Sequence, residues 1–304
     1  MKLRSGPSFG VLLLAMLWAI DWLLPDLLPH SGAAAASLAL AQAILFSAFA
    51  LLSFAIARTR RLAFPRRLAG ASALVGLGLF VLPFTAAAFA RGSISSFDQV
   101  ALLCLTPVFA VVLEPYVHPD APPQGKAALV GAVAAVAGVL CFFPLEAPDS
   151  LRAGIALVVF FATVLVLAAT YGFAVRLARS TAGPSTPLMA APAGATAALC
   201  FVVAASTSAT WNPSGLSASS LWLLLIDLPG LFLLFWLMRR LTASRLTAAF
   251  LFAPLFAALA GLALERMLPP VRSLLGLALL AGGASWLLFA PAPPETEPIP
   301  SLTR

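Results

Sequence analysis

Three carboxylates fall inside apolar runs of the chain, at Asp21, Glu114 and Asp227. An ionised side chain at the centre of a membrane helix costs about 2.5–3.5 kcal/mol on insertion scales, so it persists where a partner or a task offsets that cost. Asp227 is the deepest of the three, and Pro229-Gly230 follows it closely. A backbone broken there would leave carbonyls facing a cavity. Asp227 could then bind a cationic group or carry a coupling proton; the plainer reading is a neutral acid hydrogen-bonded between helices. Trp18 stands three residues before Asp21, and residues at that spacing share a helix face. An aromatic wall beside a carboxylate suits an amine-bearing or cationic ligand through cation–π attraction. Alternatively, Trp22 belongs to an interfacial aromatic belt and Asp21 meets headgroup water. Glu114, just before Pro115-Tyr116, reads as a group that snorkels to the surface or pairs with Lys126 or a loop arginine, and second as a cavity residue. Asp98 and Gln99 open an apolar run, where an acid offsets the helix dipole. Asp98 is therefore expected to cap, with both as secondary cavity candidates. Gln42 lies mid-run and needs a hydrogen-bond partner, which favours the bundle interior. Tyr171, beside Thr170, either presents its hydroxyl to a cavity or packs.

No enzymatic constellation accompanies these groups. Cys104, Cys141 and Cys200 each sit in an apolar run without metal-ligand spacing and read as small hydrophobes. His30 and His118 fall in connections. No Ser–His pair, paired-Asp motif or phosphate-binding Gly-Lys loop is recognisable. Catalytic residues, metal and cofactor are all expected to be none, and ATP is not expected to be the energy source.

The elements that must position such groups follow from composition. Of 304 residues, 62% are hydrophobic and 10% charged, against about 25% charged in a soluble domain; the mean hydropathy is +1.02. A spanning helix needs about 20 apolar residues, and ten segments qualify: Ser8 to Leu24, Ala33 to Ala57, Leu68 to Ala90, Phe97 to Val117, Ala127 to Leu145, Ala153 to Ala174, Leu188 to Ala209, Ser219 to Met238, Leu246 to Leu264 and Ser273 to Ala290. Prolines and glycines punctuate the joints. The Pro-rich stretch 291–304 is expected to be a disordered cytoplasmic tail. Lys2 and Arg4 before an apolar run resemble a signal peptide, but that run continues to Leu24 and further spans follow, which favours a retained helix. With the N-terminus inside, 14 of the 18 Lys and Arg residues fall on the inner side and 4 on the outer. The positive-inside rule then places both termini in the cytoplasm. The net charge of +7 is spread over short loops, which points to anionic lipid headgroups rather than nucleic acid.

An internal repeat runs through the segments. Pro107-Val108-Phe109-Ala110 reads like Pro254-Leu255-Phe256-Ala257, at an offset of 147 residues. Leu82-Pro83 matches Leu228-Pro229 at 146, and Gly131 and Gly138 match Gly276 and Gly283 at 145. Two halves of five spans must have opposite topology, because five is odd; inverted repeats are an architecture of secondary transporters. The expected fold is an all-α integral membrane protein of ten transmembrane helices as two inverted five-helix repeats, 1–146 and 147–290, with helix breaks at Pro83, Pro107, Pro229 and Pro254.

These residues carry a resemblance to a known family. With Trp18 in the first segment, Leu82-Pro83-Phe84 through Thr106-Pro107-Val108-Phe109, and Ala253-Pro254-Leu255-Phe256 through Leu264-Glu265 and Gly276, the chain resembles the EamA-type members of the drug/metabolite transporter superfamily over Phe9 to Phe289. Two positions depart: His118 stands where the first half would match Glu265, and Gln42 replaces a basic residue common in the second helix. The resemblance implies an inner-membrane secondary transporter, most readily an exporter, that moves a small organic metabolite or drug by alternating access. It implies a cavity lined by helices one to four and six to nine, with five and ten in support. The expected partners are a small-molecule substrate, the lipid bilayer, protons as a coupling option and a homodimer as another. The competing reading is a lipid flippase or scramblase-type component.

Overall fold

In a computed structural model, residues 5–27, 35–117, 126–145, 147–181, 185–207, 218–265 and 270–289 are described. Almost all the described residues are helical, and no strand occurs among them. Apolar surroundings leave no water for backbone groups, so each apolar run satisfies its N–H and C=O groups internally as a helix. The elements in order are α1 (Ser5–Leu27), α2 (Ala35–Thr59), α3 (Arg66–Gly76), a π-helical turn (Leu77–Val81), α4 (Leu82–Ala90), α5 (Ser96–Leu103), α6 (Thr106–Val117), α7 (Lys126–Phe142), α8 (Leu151–Ser180), α9 (Ser185–Thr207), α10 (Ala218–Met238), α11 (Ala243–Thr247), α12 (Ala249–Glu265) and α13 (Val271–Phe289). Among the described residues, seven helical stretches are long and apolar enough to cross a membrane, and Gly6–Ile20, Lys126–Phe142 and Leu224–Met238 are shorter apolar helices. The protein is a multi-pass helical membrane protein. Its outward positions, such as Leu51, Leu74, Val130, Val158, Leu199 and Leu275, are exposed and apolar, as a surface facing lipid tails requires.

Helix ends fall within three residues of expectation except at α8, and two ends have a clear physical cause. Helix α7 stops at Phe142 rather than Leu145, because Pro144 disfavours helical geometry at Phe143. Helix α8 continues past Ala174 to Ser180. Its buried stripe extends through Val175 and Ala178, so the helix outlasts the point where Arg176 ends the apolar run.

The prolines act unequally. Pro83 has no N–H to give the Leu79 carbonyl, and the helix widens into the π turn just before it. Pro107 likewise abandons the Leu103 carbonyl; the helix is interrupted at Cys104–Leu105, and the Thr106 hydroxyl donates to that carbonyl at 2.6 Å. The expected breaks at Pro229 and Pro254 do not occur. Both residues lie inside continuous helices, α10 and α12. A single missing bond bends a helix without ending it when neighbours hold both flanks, and α10 is flanked by α1 and α2. The interruption in this part of the chain falls at Ala248, between α11 and α12.

Packing joins elements far apart in sequence. Helix α2 lies along α9, and α7 along α13. Helix α1 packs on α10 and α12, while α8 packs on α4 and α6; α3 meets α9, α10 meets α2, and α6 meets α11. The α7–α13 contact is made backbone to backbone. A Cβ on Gly138 would sit 2.6 Å from the Gly276 carbonyl oxygen, and one on Gly283 would sit 2.5 Å from the Gly131 carbonyl oxygen. Small residues allow this approach, which replaces hydrophobic driving force with close dispersion contact.

Candidate functional site

Aromatic rings gather where the interrupted helices meet. Trp18 of α1 lies with its ring 5.0 Å from that of Phe250, and Tyr171 of α8 meets the same ring edge-on at 5.8 Å. Phe250 is in the first turn of α12, directly after the interruption at Ala248. Its carbonyl is the one that Pro254 cannot reach, and the Cys104 thiol donates to it at 3.2 Å. Cys104 is itself the residue at which α5 gives way to α6. Thr170, beside Tyr171, presses on Gly78 in the π turn, where any Cβ would collide with the threonine hydroxyl. Thus α1, α8, the π turn and both interrupted helix pairs converge on Trp18, Phe250 and Tyr171. Rings at these separations present flat, polarisable faces suited to an organic group or a cation.

A second set of rings packs between α2, the π turn, α4, α9 and α10. Phe46 of α2 lies 4.7 Å from Phe80 of the π turn and 5.5 Å from Phe201 of α9. Phe84 meets Phe201 edge-on at 4.8 Å, and Phe49 meets Phe232 of α10 at 4.9 Å.

The carboxylates sit on several different helices. Asp227 is half-buried on α10 and is engaged by its surroundings. Gln42 is half-buried on α2, which neighbours α9 and α10. The side chain of Asp21 lies outside the described residues, as do His118 and the side chain of Glu265. The structure therefore brings Trp18 and Tyr171 onto one ring and places Gln42 on a different helix pair. Asp98 is buried and serves as the third residue of α5 in a reciprocal cap: its N–H donates to the Ser95 hydroxyl at 3.0 Å, and that hydroxyl donates to its carboxylate at 2.8 Å. The half-buried Gln99 follows it.

Glu114 departs from the expected surface position. It is 6% exposed and turned against α11. The Ser244 hydroxyl and backbone N–H both donate to its carboxylate, and the Arg179 and Arg245 guanidinium groups, rather than Lys126, act on its charge. Its Oε2 is buried with no donor. Thr242 caps α11 in backbone geometry but makes no side-chain cap bond; its hydroxyl lies 3.0 Å from the Ser244 hydroxyl. Glu114 thus performs from α6 the capping that α11 lacks locally. Close by, Arg176 of α8 donates to the Val117 carbonyl at the end of α6, at 3.0 Å.

Sequence reasoning missed Phe250 and Ser244; for Glu114 it offered a loop arginine, and Arg179 and Arg245 are the two that act on its charge. Phe250 carried one usable signal: it stands four residues before Pro254, so its carbonyl had to find a donor elsewhere. Ser244 carried none, because only tertiary packing brings α11 to α6.

No family model and no curated protein matches the chain. A solved structure described only as "Crystal structure of protein" is similar to it, with a TM-score of 0.71 and 19% sequence identity over 93% of this chain and 96% of that one; at that identity the likeness establishes a shared fold along nearly the whole chain.

Proposed function

We propose that the chain is a secondary transporter of a small organic molecule, built as two inverted five-span repeats and working by alternating access. The observation that carries this reading is the behaviour of the packing when the halves are exchanged. In the repeat, α1 corresponds to α8, α2 to α9, α3 with α4 to α10, α5 with α6 to α11 with α12, and α7 to α13. Exchange turns the α1–α12 contact into α8–α6, α1–α10 into α8–α4, and α2–α10 into α9–α3. The contacts α2–α9, α7–α13 and α6–α12 turn into themselves, as contacts on a two-fold axis must. At residue level, the Gly131–Gly283 approach becomes Gly276–Gly138, which is also made. The Cys104–Phe250 bond spans 146 residues, the repeat offset itself. Such symmetry supports two halves that rock about a shared axis around a central site. The ten spans then comprise the seven long stretches together with α1, α7 and α10.

On this reading the drug/metabolite transporter resemblance, of EamA type, supplies the class. Export, proton coupling and an inner-membrane location with both termini in the cytoplasm follow as parts of the same proposal. Trp18, Phe250 and Tyr171 form the wall against which the substrate rests, and Asp227 supplies charge. The test is a resistance screen. Cells over-producing the protein are challenged with toxic amino acids, amino-acid analogues and cationic dyes. Resistance to at least one compound class is expected, and it should be lost with Trp18→Ala while Trp18→Phe retains most of it. No resistance in any class, joined to rapid phospholipid scrambling in reconstituted liposomes, would replace transport of small molecules by lipid handling.

A further inference from the structure

The Glu114 carboxylate joins elements that the proposed repeat assigns to different halves. Helix α6 belongs to the first half, whereas α8 and α11 belong to the second. At one end of the molecule all three meet on this side chain: Ser244 of α11 gives it two hydrogen bonds, and Arg179 of α8 and Arg245 of α11 act on its charge. Arg176 of α8 adds a bond to the last carbonyl of α6, at 3.0 Å. We propose that this convergence is a gate latch: Glu114 holds the arginine-bearing end of the transport path closed, and opening that end requires its tie to Ser244 to break. The proposal rests on the transporter reading and adds to it the residue that holds one state.

Two features suit a releasable tie rather than a permanent one. The first is that the tie is incomplete. Glu114 is 94% shielded from solvent by its 6% exposure, yet Oε2 has no donor. A buried carboxylate oxygen without a donor forfeits the hydration it would have in water. When the end opens, water supplies that donor and offsets the loss of the Ser244 bonds. The closed and open states are therefore brought near in free energy, as a switching element needs. The second is mechanical. Helix α11 is a five-residue segment separated from α12 at Ala248, and α6 is separated from α5 at Cys104–Leu105. Each tied segment can swing about its interruption without carrying the whole span. Other charged groups on the elements packed against α6 and α11 are Lys126, which opens α7, Arg152 and Arg176 on α8, Asp227 on α10 and Arg272 on α13; α12 contributes only aliphatic, aromatic and proline side chains before Glu265.

The test reads gate opening directly. In a background of Cys104→Ser, Cys141→Ala and Cys200→Ala, a single cysteine replaces Thr247, which is fully buried on α11 three residues past Ser244. Inside-out and right-side-out vesicles are exposed to a membrane-impermeant thiol reagent. With Glu114 intact, labelling should be slow from either side. Glu114→Gln keeps the shape and loses the charge, and should raise the rate on the order of tenfold, from the arginine-bearing side only; Glu114→Asp should restore slow labelling. Ser244→Ala, which removes one donor while leaving the carboxylate, should raise it in the same direction and serves if Glu114→Gln fails to fold. An unchanged rate in the folded variants overturns the latch. So does a rise from both sides, which marks loosening of the whole bundle. Because labelling needs no substrate, a failed resistance screen and a failed latch are separate results.

Discussion

At the scale of single residues, the chain shows what a carboxylate costs and gains in apolar surroundings. Asp98, Glu114 and Asp227 are each engaged, but by different means. Asp98 completes a local cap with Ser95, so its charge serves the first turn of α5. Glu114 reaches another helix. Asp227 is half-buried midway along α10, on the element between α1 and α2, and on the proposed transporter reading is the first coupling residue to test. Asp227→Asn keeps the shape and removes the titration. It should abolish substrate accumulation driven by a proton gradient while leaving expression and the size-exclusion profile unchanged. Gradient-driven transport that survives in this variant would remove Asp227 as the coupling residue and make Asp21 the next to test. Residue types were readable in the sequence because burial of charge is rare and conspicuous. The hydrogen-bond donor of Glu114 was not. Ser244 lies 130 positions from Glu114 by number, and nothing in its own neighbourhood marks it as a donor to a distant acid.

At the scale of elements, hydropathy gave nearly every helix to within a turn, since an apolar run of this length has only one way to satisfy its backbone. Its failures are informative. Hydropathy ended α8 at Ala174, ahead of Arg176, whereas the helix continues because Val175 and Ala178 still face the interior. Proline positions suggested four breaks, and only Pro83 and Pro107 alter the helix beside them. What decides is whether the abandoned carbonyl and the flanking turns are held by neighbours, which is a tertiary property. The glycines of α7 and α13 were legible as a spacing match, but their role is visible only in the contact. There the argument yields a test. Replacing Gly138 with Leu places a side chain where a Cβ already falls 2.5 Å from the Leu280 nitrogen. Overpacking of this kind costs about 1–3 kcal/mol or more. The thermal midpoint of the detergent-solubilised protein should fall by several degrees. The same substitution at Gly154, where a Cβ meets nothing within 4 Å, should leave it nearly unchanged. Equal effects at both sites would show that helix propensity, not the crossing, is responsible.

At the scale of the whole molecule, the proposed orientation places the segment 58–67, with five arginines, and the segment 239–245, with three, on the cytoplasmic side. Neither segment contains an acid to offset them, so both are drawn toward an anionic leaflet. A single cysteine at position 63, in an otherwise cysteine-free chain, should be labelled by an impermeant reagent in inside-out vesicles and spared in intact cells. A cysteine at position 214 should behave in the opposite way. Labelling of position 63 from outside intact cells would invert the orientation and with it the sense of transport.

The α7–α13 seam has a consequence for any such motion. Its partners are backbone atoms that meet closely at Gly131 with Gly283 and at Gly138 with Gly276. Dispersion at that range decays steeply with separation, so the pair resists being drawn apart or slid but offers little resistance to pivoting. On the proposed two-fold arrangement such a seam acts as a fulcrum, about which widening one mouth narrows the other. Mutual exclusion of the two openings would then be a property of the lever, present before any substrate binds.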